Sequence, residues 1–133
     1  MLAQSEEAGN RYESVLVPYA VIEKPPAFPG CEGLEPGEAV KKCTSEKISG
    51  FVNKNFDTGI AKQLGLSGVN RVIVQFKIDE NGEITDIRVR APHPKLEEEA
   101  RRVTDALPNM LPGKQRGKTV GTMYSLPIVF KVN

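Results

Sequence analysis

The chain has 133 residues, a length that suits one domain with a substantial buried core. Its 18 Lys and Arg residues nearly balance 17 Asp and Glu residues, so it lacks the basic excess usual in nucleic-acid-binding proteins. No apolar run approaches the roughly 18 residues of a membrane span, and the first residues lack the basic and apolar regions of a signal peptide. We therefore expect either a cytosolic protein or a segment that begins after a targeting or anchoring region.

The start of the chain is predicted to lead into the domain. Residues 1–24 are interpreted as a partly disordered, extended lead-in, because residues 1–12 are polar and chain ends fray readily. The Pro-Pro-Ala-Phe-Pro-Gly segment at residues 25–30 is typical of a stiff, polyproline-like connector. Phe28 within this segment is expected to anchor the connector by packing onto the domain, which is predicted to span residues 25–133.

The two cysteines, Cys31 and Cys43, lie twelve positions apart (43 − 31 = 12). They could form a disulfide, remain two free thiols or supply half of a metal site. A metal site is the least favoured of the three, because the single histidine, His93, lies between two prolines and no CxxC spacing occurs. The spacing alone leaves the other two alternatives open. A disulfide would place the domain in an oxidising compartment.

The next part of the chain favours helical structure. Apolar residues recur at helical spacing in residues 44–55, which predicts a first helix with Thr44 or Ser45 as its N-cap. Residues 57–66 are expected to add a further turn or short helix. The first strand should follow shortly after this helical region.

Alternating apolar residues predict a strand at residues 71–78, with its even-numbered side chains on one face. The Asn-Gly pair at residues 81–82 is typical of a hairpin turn, and residues 83–90 are predicted to form the return strand. Apolar residues in the return strand do not keep one parity along it. This mismatch predicts a β-bulge near residues 85–86.

Residues 94–107 are predicted to form a second helix, with proline near its first turn. Its predicted buried stripe consists of Leu96, Ala100, Val103 and Leu107. The acidic run at residues 97–99 is interpreted as a solvated face, since acidic residues favour helix N-termini. The ion pairs expected on that face are Glu97–Arg101 and Glu98–Arg102.

Residues 119–132 are predicted to form the last strand, which contains Pro127. Because proline cannot donate to a β-ladder, this strand belongs at a sheet edge. The order helix, strand, strand, helix, strand places the first strand between the other two. We therefore predict an α+β fold with a three-stranded antiparallel sheet of order 2-1-3 and helices packed on one face.

Residues that would support catalysis are poorly represented. The glycine-bracketed basic segment at residues 113–119 superficially resembles a phosphate loop, but only three residues separate its glycines and a strand follows it. No serine lies in a GxSxG context, and the carboxylates mark turns and helix faces. We therefore expect a non-enzymatic protein that needs no cofactor and no metal, and whose partner is a protein rather than a nucleic acid.

Several short segments together carry a family resemblance. They are residues 17–23, 28–31, 71–79, 81–82, 96–100 and 112–118, followed by Tyr124, Pro127, Ile128 and Phe130. This pattern, which covers roughly residues 17–132, resembles the periplasmic C-terminal domain of the TonB family, the energy transducers of Gram-negative envelopes. The chain departs from the family at two places: Met110 stands where relatives often carry tryptophan, and Pro127 interrupts a strand that is continuous in many of them.

The resemblance implies a periplasmic domain tethered through a linker to an inner-membrane helix. Such proteins work with a proton-driven motor complex and bind a short segment of outer-membrane transporters, the TonB box, by adding it to the edge of the last strand. A homodimer is left open as a further assembly. Paired cysteines fit a sub-branch of the family, so the resemblance also favours a Cys31–Cys43 disulfide.

The resemblance directs attention to the last strand, where the N–H and C=O groups of a residue point to one side and the side alternates along the chain. Because Pro127 has no N–H, its position should face the free edge. By parity, the residues expected to face outward and to contact the partner are Met123, Ser125, Pro127, Val129 and Lys131. Further expected partner contacts are Phe28, Pro29, Lys114, Arg116 and Lys118.

Two alternative functions are retained. The same fold could serve as a non-energised periplasmic sensory or scaffolding domain. Other domains upstream in the full-length protein would indicate this function. A cytosolic binding module would instead require Cys31 and Cys43 to be free thiols.

Overall fold

The computed structural model describes residues 15–133, so the expected fraying of residues 1–12 lies outside the described residues. The strands in this part of the chain are β1 (Leu16–Pro18), β2 (Gly68–Ile78), β3 (Ile84–Arg90), β4 (Gly113–Gln115) and β5 (Lys118–Val132). The helices are α1 (Gly37–Asn55), α2 (Gly59–Gln63) and α3 (Pro94–Asp105). The predicted α+β class is confirmed.

The sheet is larger than predicted. Its order is β1-β5-β2-β3, with β4 pairing to β5 off this path, so the prediction of a three-stranded antiparallel sheet is wrong. The predicted arrangement of β2 between β3 and β5 is present within it. The two additional strands have three residues each, and β1 runs parallel to β5. Strands this short are too brief to show an alternating pattern in the sequence.

The pairing of β2 with β5 is regular, whereas the pairing of β2 with β3 contains an irregularity. The β2–β5 register runs without a shift from Gly68↔Val132 to Ile78↔Thr122. In β3, the register moves from Gln75↔Arg88 to Lys77↔Thr85, so β3 carries one extra residue there. Asp86 adopts φ 51° at this point, which confirms the predicted bulge.

The hydrophobic core lies between the helices and one face of the sheet. The helices supply Ile48, Val52, Leu96, Ala100 and Val103, and the sheet supplies Val72, Val74, Phe76, Ile78, Tyr124, Leu126 and Ile128. Helices therefore cover one face of the sheet, as predicted. The odd-numbered side chains of β2 and β5 lie on the opposite face, which no helix covers in the described part of the chain.

Helix α1 begins earlier than predicted, at Gly37 rather than near residue 44, and its N-cap position is Pro36. The sequence around residues 33–37 is rich in glycine and proline, which is typical of a loop rather than of a helix start. Thr44 is consequently a buried residue inside the helix and not its cap. Its hydroxyl donates to the carbonyl of Pro26 (3.0 Å) and accepts from the N–H of Phe28 (3.1 Å).

Helix α3 starts at Pro94 with His93 as its N-cap, and the His93 ring accepts from the N–H of Lys95 (3.0 Å). The prediction of the ion pairs Glu97–Arg101 and Glu98–Arg102 on its acidic face is wrong. The ion pairs found in residues 15–133 are Lys95–Glu98 (3.9 Å) and Arg102–Glu99 (2.7 Å). The acidic run is not uniformly solvated, because Glu99 is only 7 % exposed.

The described part of the lead-in packs into the fold. Residues 16–18 form β1, and Ile22 is buried. Lys24 exchanges backbone hydrogen bonds with Lys114 (3.1 and 2.9 Å), and Ala27 does so with Leu111 (3.1 and 3.0 Å). These contacts bring residues 15–27 against the second half of the chain.

Candidate partner-binding edge

Strand β5 is anchored by its inward-facing side chains. Its even-numbered residues from Val120 to Ile128 are buried, which follows from the alternation of side chains along a strand. The Tyr124 ring lies between Tyr19 (ring centroids 4.8 Å apart) and Phe76 (5.3 Å). Burial raises the pKa of Tyr19 to about 12. The even-numbered side chains of β5 therefore hold the strand against the core. Its outer backbone edge is not involved in this packing.

Two hydrogen bonds establish which backbone groups of β5 point away from β2. The N–H of Gly121 donates to the carbonyl of Val15 (3.2 Å), and the N–H of Tyr19 donates to the carbonyl of Met123 (2.9 Å). Both β5 residues are odd-numbered and are bonded to the segment around β1. Because the β2–β5 register has no shift, the same parity continues to the end of the strand.

The outer edge of β5 is open over residues 124–132. Strand β1 pairs with Gly121, Thr122 and Met123 only, and no other strand in residues 15–133 pairs with β5 beyond them on this side. By parity, the N–H groups of Ser125, Val129 and Lys131 face outward, whereas Pro127 offers only a carbonyl. Met123 is already bonded to Tyr19, so it does not belong to the open stretch.

Side chains flank the open edge on both faces of the sheet. Val129 is 51 % exposed on the face without helices, and Ser125, Pro127 and Lys131 are exposed beside it. On the helix side, the half-buried Phe130 packs against Phe56, with ring centroids 5.6 Å apart. An added strand would therefore meet aliphatic surface on one side and an aromatic ring on the other.

Residues 59–132, more than half of the chain, match the family described as Gram-negative bacterial TonB protein C-terminal. The chain belongs to this family. It is accordingly a TonB-like periplasmic domain of a non-enzymatic, transport-related class, whose general partners are outer-membrane transporters. No match was found among curated proteins. None of the helices in residues 15–133 has the length and hydrophobicity of a membrane span.

The basic residues expected to contact a partner lie elsewhere in this TonB C-terminal domain. Lys114 and Lys118 belong to the β4–β5 hairpin, whose turn contains Arg116 with φ 54°. Arg116 donates its N–H to the Glu23 carboxylate (2.7 Å), which ties the hairpin to the lead-in. With a strand rise of about 3.3 Å per residue, Lys118 is about 20 Å from Tyr124, where the open edge begins.

The remaining sequence-predicted residues lie before the residues 59–132 that match the family. Phe28 is half-buried and packs against the core, and Pro29 next to it is exposed. Cys31 and Cys43 form a disulfide, with Cα atoms 5.8 Å apart, that joins this segment to α1. The structure therefore does not bring these residues and the β5 edge together into one site. Residues 15–133 contain no cluster of three or more side chains suited to a metal ion.

The pairing of β1 with β5 was not predicted from the sequence, although this pairing defines where the open edge starts. The only signal for it is the apolar run at residues 15–17. The inward position of Glu99 was not predicted either. A helical projection would indicate it, since Glu99 lies three residues after Leu96 and four before Val103.

Proposed function

We propose that this domain engages the TonB box of outer-membrane transporters by β-augmentation at residues 124–132. In this role it is the periplasmic end of an energy transducer, which couples the inner-membrane proton motive force to active uptake. Family membership supports the class of partner, and the open edge of β5 supports the mode of binding. The observation that carries the proposal is the row of outward backbone groups beyond Met123.

The proposed register follows from the alternation along β5. An added strand would exchange hydrogen bonds with Val129 and Lys131 and would reach Ser125 at the other end, with one donor absent at Pro127. Its alternate side chains would lie over Val129 on one face and over Phe130 on the other. The partner segment should therefore be extended and carry aliphatic residues at alternate positions.

The rest of the proposed transducer lies outside this domain. A helix in the inner membrane would anchor it, and a proton-driven motor complex would act through that helix. The basic residues Lys114, Arg116 and Lys118 and the segment at residues 28–29 are proposed as additional contacts with the transporter, separate from the edge. A homodimer is proposed as a further assembly of the same domain.

The replacement Val129→Pro tests the docking register. It removes one outward N–H without removing a hydrogen bond to β2, so the protein should fold. Isothermal titration calorimetry with a synthetic TonB-box peptide should then show affinity weakened by about tenfold, from one lost hydrogen bond and the local distortion. Val129→Thr is the matched control, because it keeps the N–H and the β-branched shape, and its affinity should change little. Unchanged affinity in a folded Val129→Pro variant would rule out this register.

A further inference from the structure

The face of the sheet opposite the helices concentrates positive charge. We call it the open sheet face and define it by the solvent-side residues of β2, β3 and β5. Its charged residues are Arg71, Lys77, Arg88, Arg90 and Lys131. No Asp or Glu occurs in residues 69–77, 88–90 and 125–131, and the one acidic residue in the three strands is Asp86, at the bulge of β3. The chain as a whole has 18 basic and 17 acidic residues, so this face is charged far more unevenly than the molecule.

These cations are not neutralised within the described part of the fold. Both ion pairs found in residues 15–133 lie on α3, which packs against the other face of the sheet. Arg71, Arg88 and Arg90 are exposed, and each guanidinium remains able to bind a carboxylate. A group of unpaired guanidinium groups fixed on a rigid sheet is a surface prepared for an anionic partner.

Ile73 and Pro127 form an apolar patch at the centre of the face. The sheet register places Ile73 directly between Arg90 on β3 and Pro127 on β5, and places Arg71 directly beside Val129. Ile73 is half-buried and lines two adjoining shallow hollows. Arg90 borders both hollows, Arg88 borders one and Arg71 borders the other. An aliphatic floor framed by arginines matches the composition of protein interfaces, in which arginine is enriched and the rim is polar.

We propose that the open sheet face binds an acidic polypeptide segment of a partner protein. An aliphatic side chain of that segment would contact Ile73, while its carboxylates would pair with Arg71, Arg88 and Arg90. Guanidinium groups suit this partner because their planar donors match a carboxylate with two parallel hydrogen bonds. A flat membrane surface would reach the exposed arginines but not the half-buried Ile73 between them. This contact uses side chains on a sheet face, so it is independent of strand addition at the β5 edge.

The first measurement is an NMR titration of the ¹⁵N-labelled chain with an acidic hexapeptide, Glu-Leu-Glu-Glu-Leu-Glu. Chemical-shift changes should centre on the amides of Ile73, Arg88 and Arg90. The neutral hexapeptide in which each glutamate is replaced by glutamine should bind at least about fivefold more weakly, because several exposed ion pairs are lost. Raising the salt concentration should weaken binding of the acidic peptide and leave binding of the neutral peptide little changed.

A charge-matched pair of double variants separates this site from general attraction. The double variant Arg88→Gln with Arg90→Gln should bind the acidic peptide about fivefold more weakly, since two ion pairs at the site disappear. Lys47→Gln with Lys62→Gln removes the same charge from exposed helical positions and should leave the affinity unchanged. An equal loss in both double variants would overturn the proposal, as would shifts confined to the amides of residues 124–132. Binding to phosphatidylglycerol vesicles without binding to the acidic peptide would overturn it in favour of a membrane.

Discussion

Glu99 connects α3 to the end of α1 through its carboxylate. One oxygen accepts from the N–H of Asp57 (2.8 Å) and from Arg102 (2.7 Å), and the other accepts from the Arg102 Nε (2.9 Å). Arg102 also donates to the carbonyl of Asn55 (3.1 Å), the last residue of α1. These hydrogen bonds, those from Arg102 above all, lower the pKa of Glu99, although burial acts in the opposite direction.

Glu99→Gln is expected to lower the free energy of unfolding by about 1–3 kcal/mol at neutral pH, because the network loses its negative charge and one of its two acceptor oxygens. Glu98→Gln is the matched control, since Glu98 is exposed, and its effect should stay within about 0.5 kcal/mol. Urea denaturation measures both. Equal effects of the two replacements would contradict the role assigned to Glu99.

The same carboxylate predicts a pH dependence of stability. Because the pKa of Glu99 is lower in the folded protein than its ordinary value of 4.5, the unfolded chain takes up the proton first as pH falls. The stabilisation from Glu99 is therefore present at neutral pH and is lost as the pH falls through the lowered pKa. The difference in stability between the natural chain and Glu99→Gln should shrink over that range, which urea denaturation at a series of acidic pH values would measure.

Gly82 and Gly117 adopt nearly the same positive φ, 82° and 79°, yet their surroundings differ. A Cβ added at Gly82 would overlap the carbonyl of Met110, whereas one added at Gly117 would meet nothing within 4 Å. Met110 also donates its N–H to the carbonyl of Gly82 (2.9 Å), so the two backbones are held together. The conformation favours glycine at both positions, but only Gly82 is also required by packing.

Gly82→Ala is expected to destabilise the fold by about 3 kcal/mol or more, since backbone strain and a backbone clash act together. Gly117→Ala carries the strain alone and should cost about 1–2 kcal/mol. Thermal denaturation would measure the difference in stability between the two variants. This difference arises from the close approach of residue 82 to residue 110. Similar melting temperatures for the two would show that this approach is loose.

At the scale of elements, the long periodic segments were predictable and the short or irregular ones were not. Strands β2 and β5 and helix α3 follow from their apolar spacing, and the bulge in β3 follows from a break in parity. Strands β1 and β4 have three residues each, so their pairing depends on tertiary contacts that no local pattern records. The early start of α1 was not predicted because Pro36 and Gly37 are typical of a turn.

The segment before α1 is held to the helix by the Cys31–Cys43 disulfide, in which Cys31 is fully buried. Replacing both cysteines with serine should lower the free energy of unfolding by about 3 kcal/mol, because the unfolded chain loses a covalent constraint. Denaturant titration of the two proteins measures this change. Thiol titration of the denatured, unreduced natural chain should find essentially no free sulfhydryl. Two titratable thiols in protein prepared under oxidising conditions would contradict the disulfide.

At the scale of the whole molecule, the open edge is set by contacts between the two ends of the described chain. The outward parity of β5 could be predicted from Pro127 alone, since its missing N–H leaves only one orientation compatible with the sheet. The point where the edge opens could not be predicted in this way. It depends on β1 pairing with Gly121–Met123, residues more than a hundred positions later in the sequence.

Because β1 covers the first part of the edge, removing residues 1–18 should extend the open stretch from residues 124–132 to residues 121–132. The N–H of Gly121 would then lack its partner at Val15, and the carbonyl of Met123 would accept only from Tyr19, which becomes the first residue of the shortened chain. An extended edge pairs more readily with another copy of itself. We expect the shortened chain to self-associate about tenfold more tightly, a gain that one or two added backbone hydrogen bonds would supply.

Sedimentation velocity over a range of concentrations measures this change in self-association. A chain that lacks only residues 1–14 keeps β1 and is the matched control, so it should sediment like the natural chain. If both shortened chains sedimented identically, β1 would not limit the edge. An increase in both would place the effect in residues 1–14 instead. Stronger association confined to the chain without β1 would show that three residues of the lead-in limit how much of β5 is open to another strand.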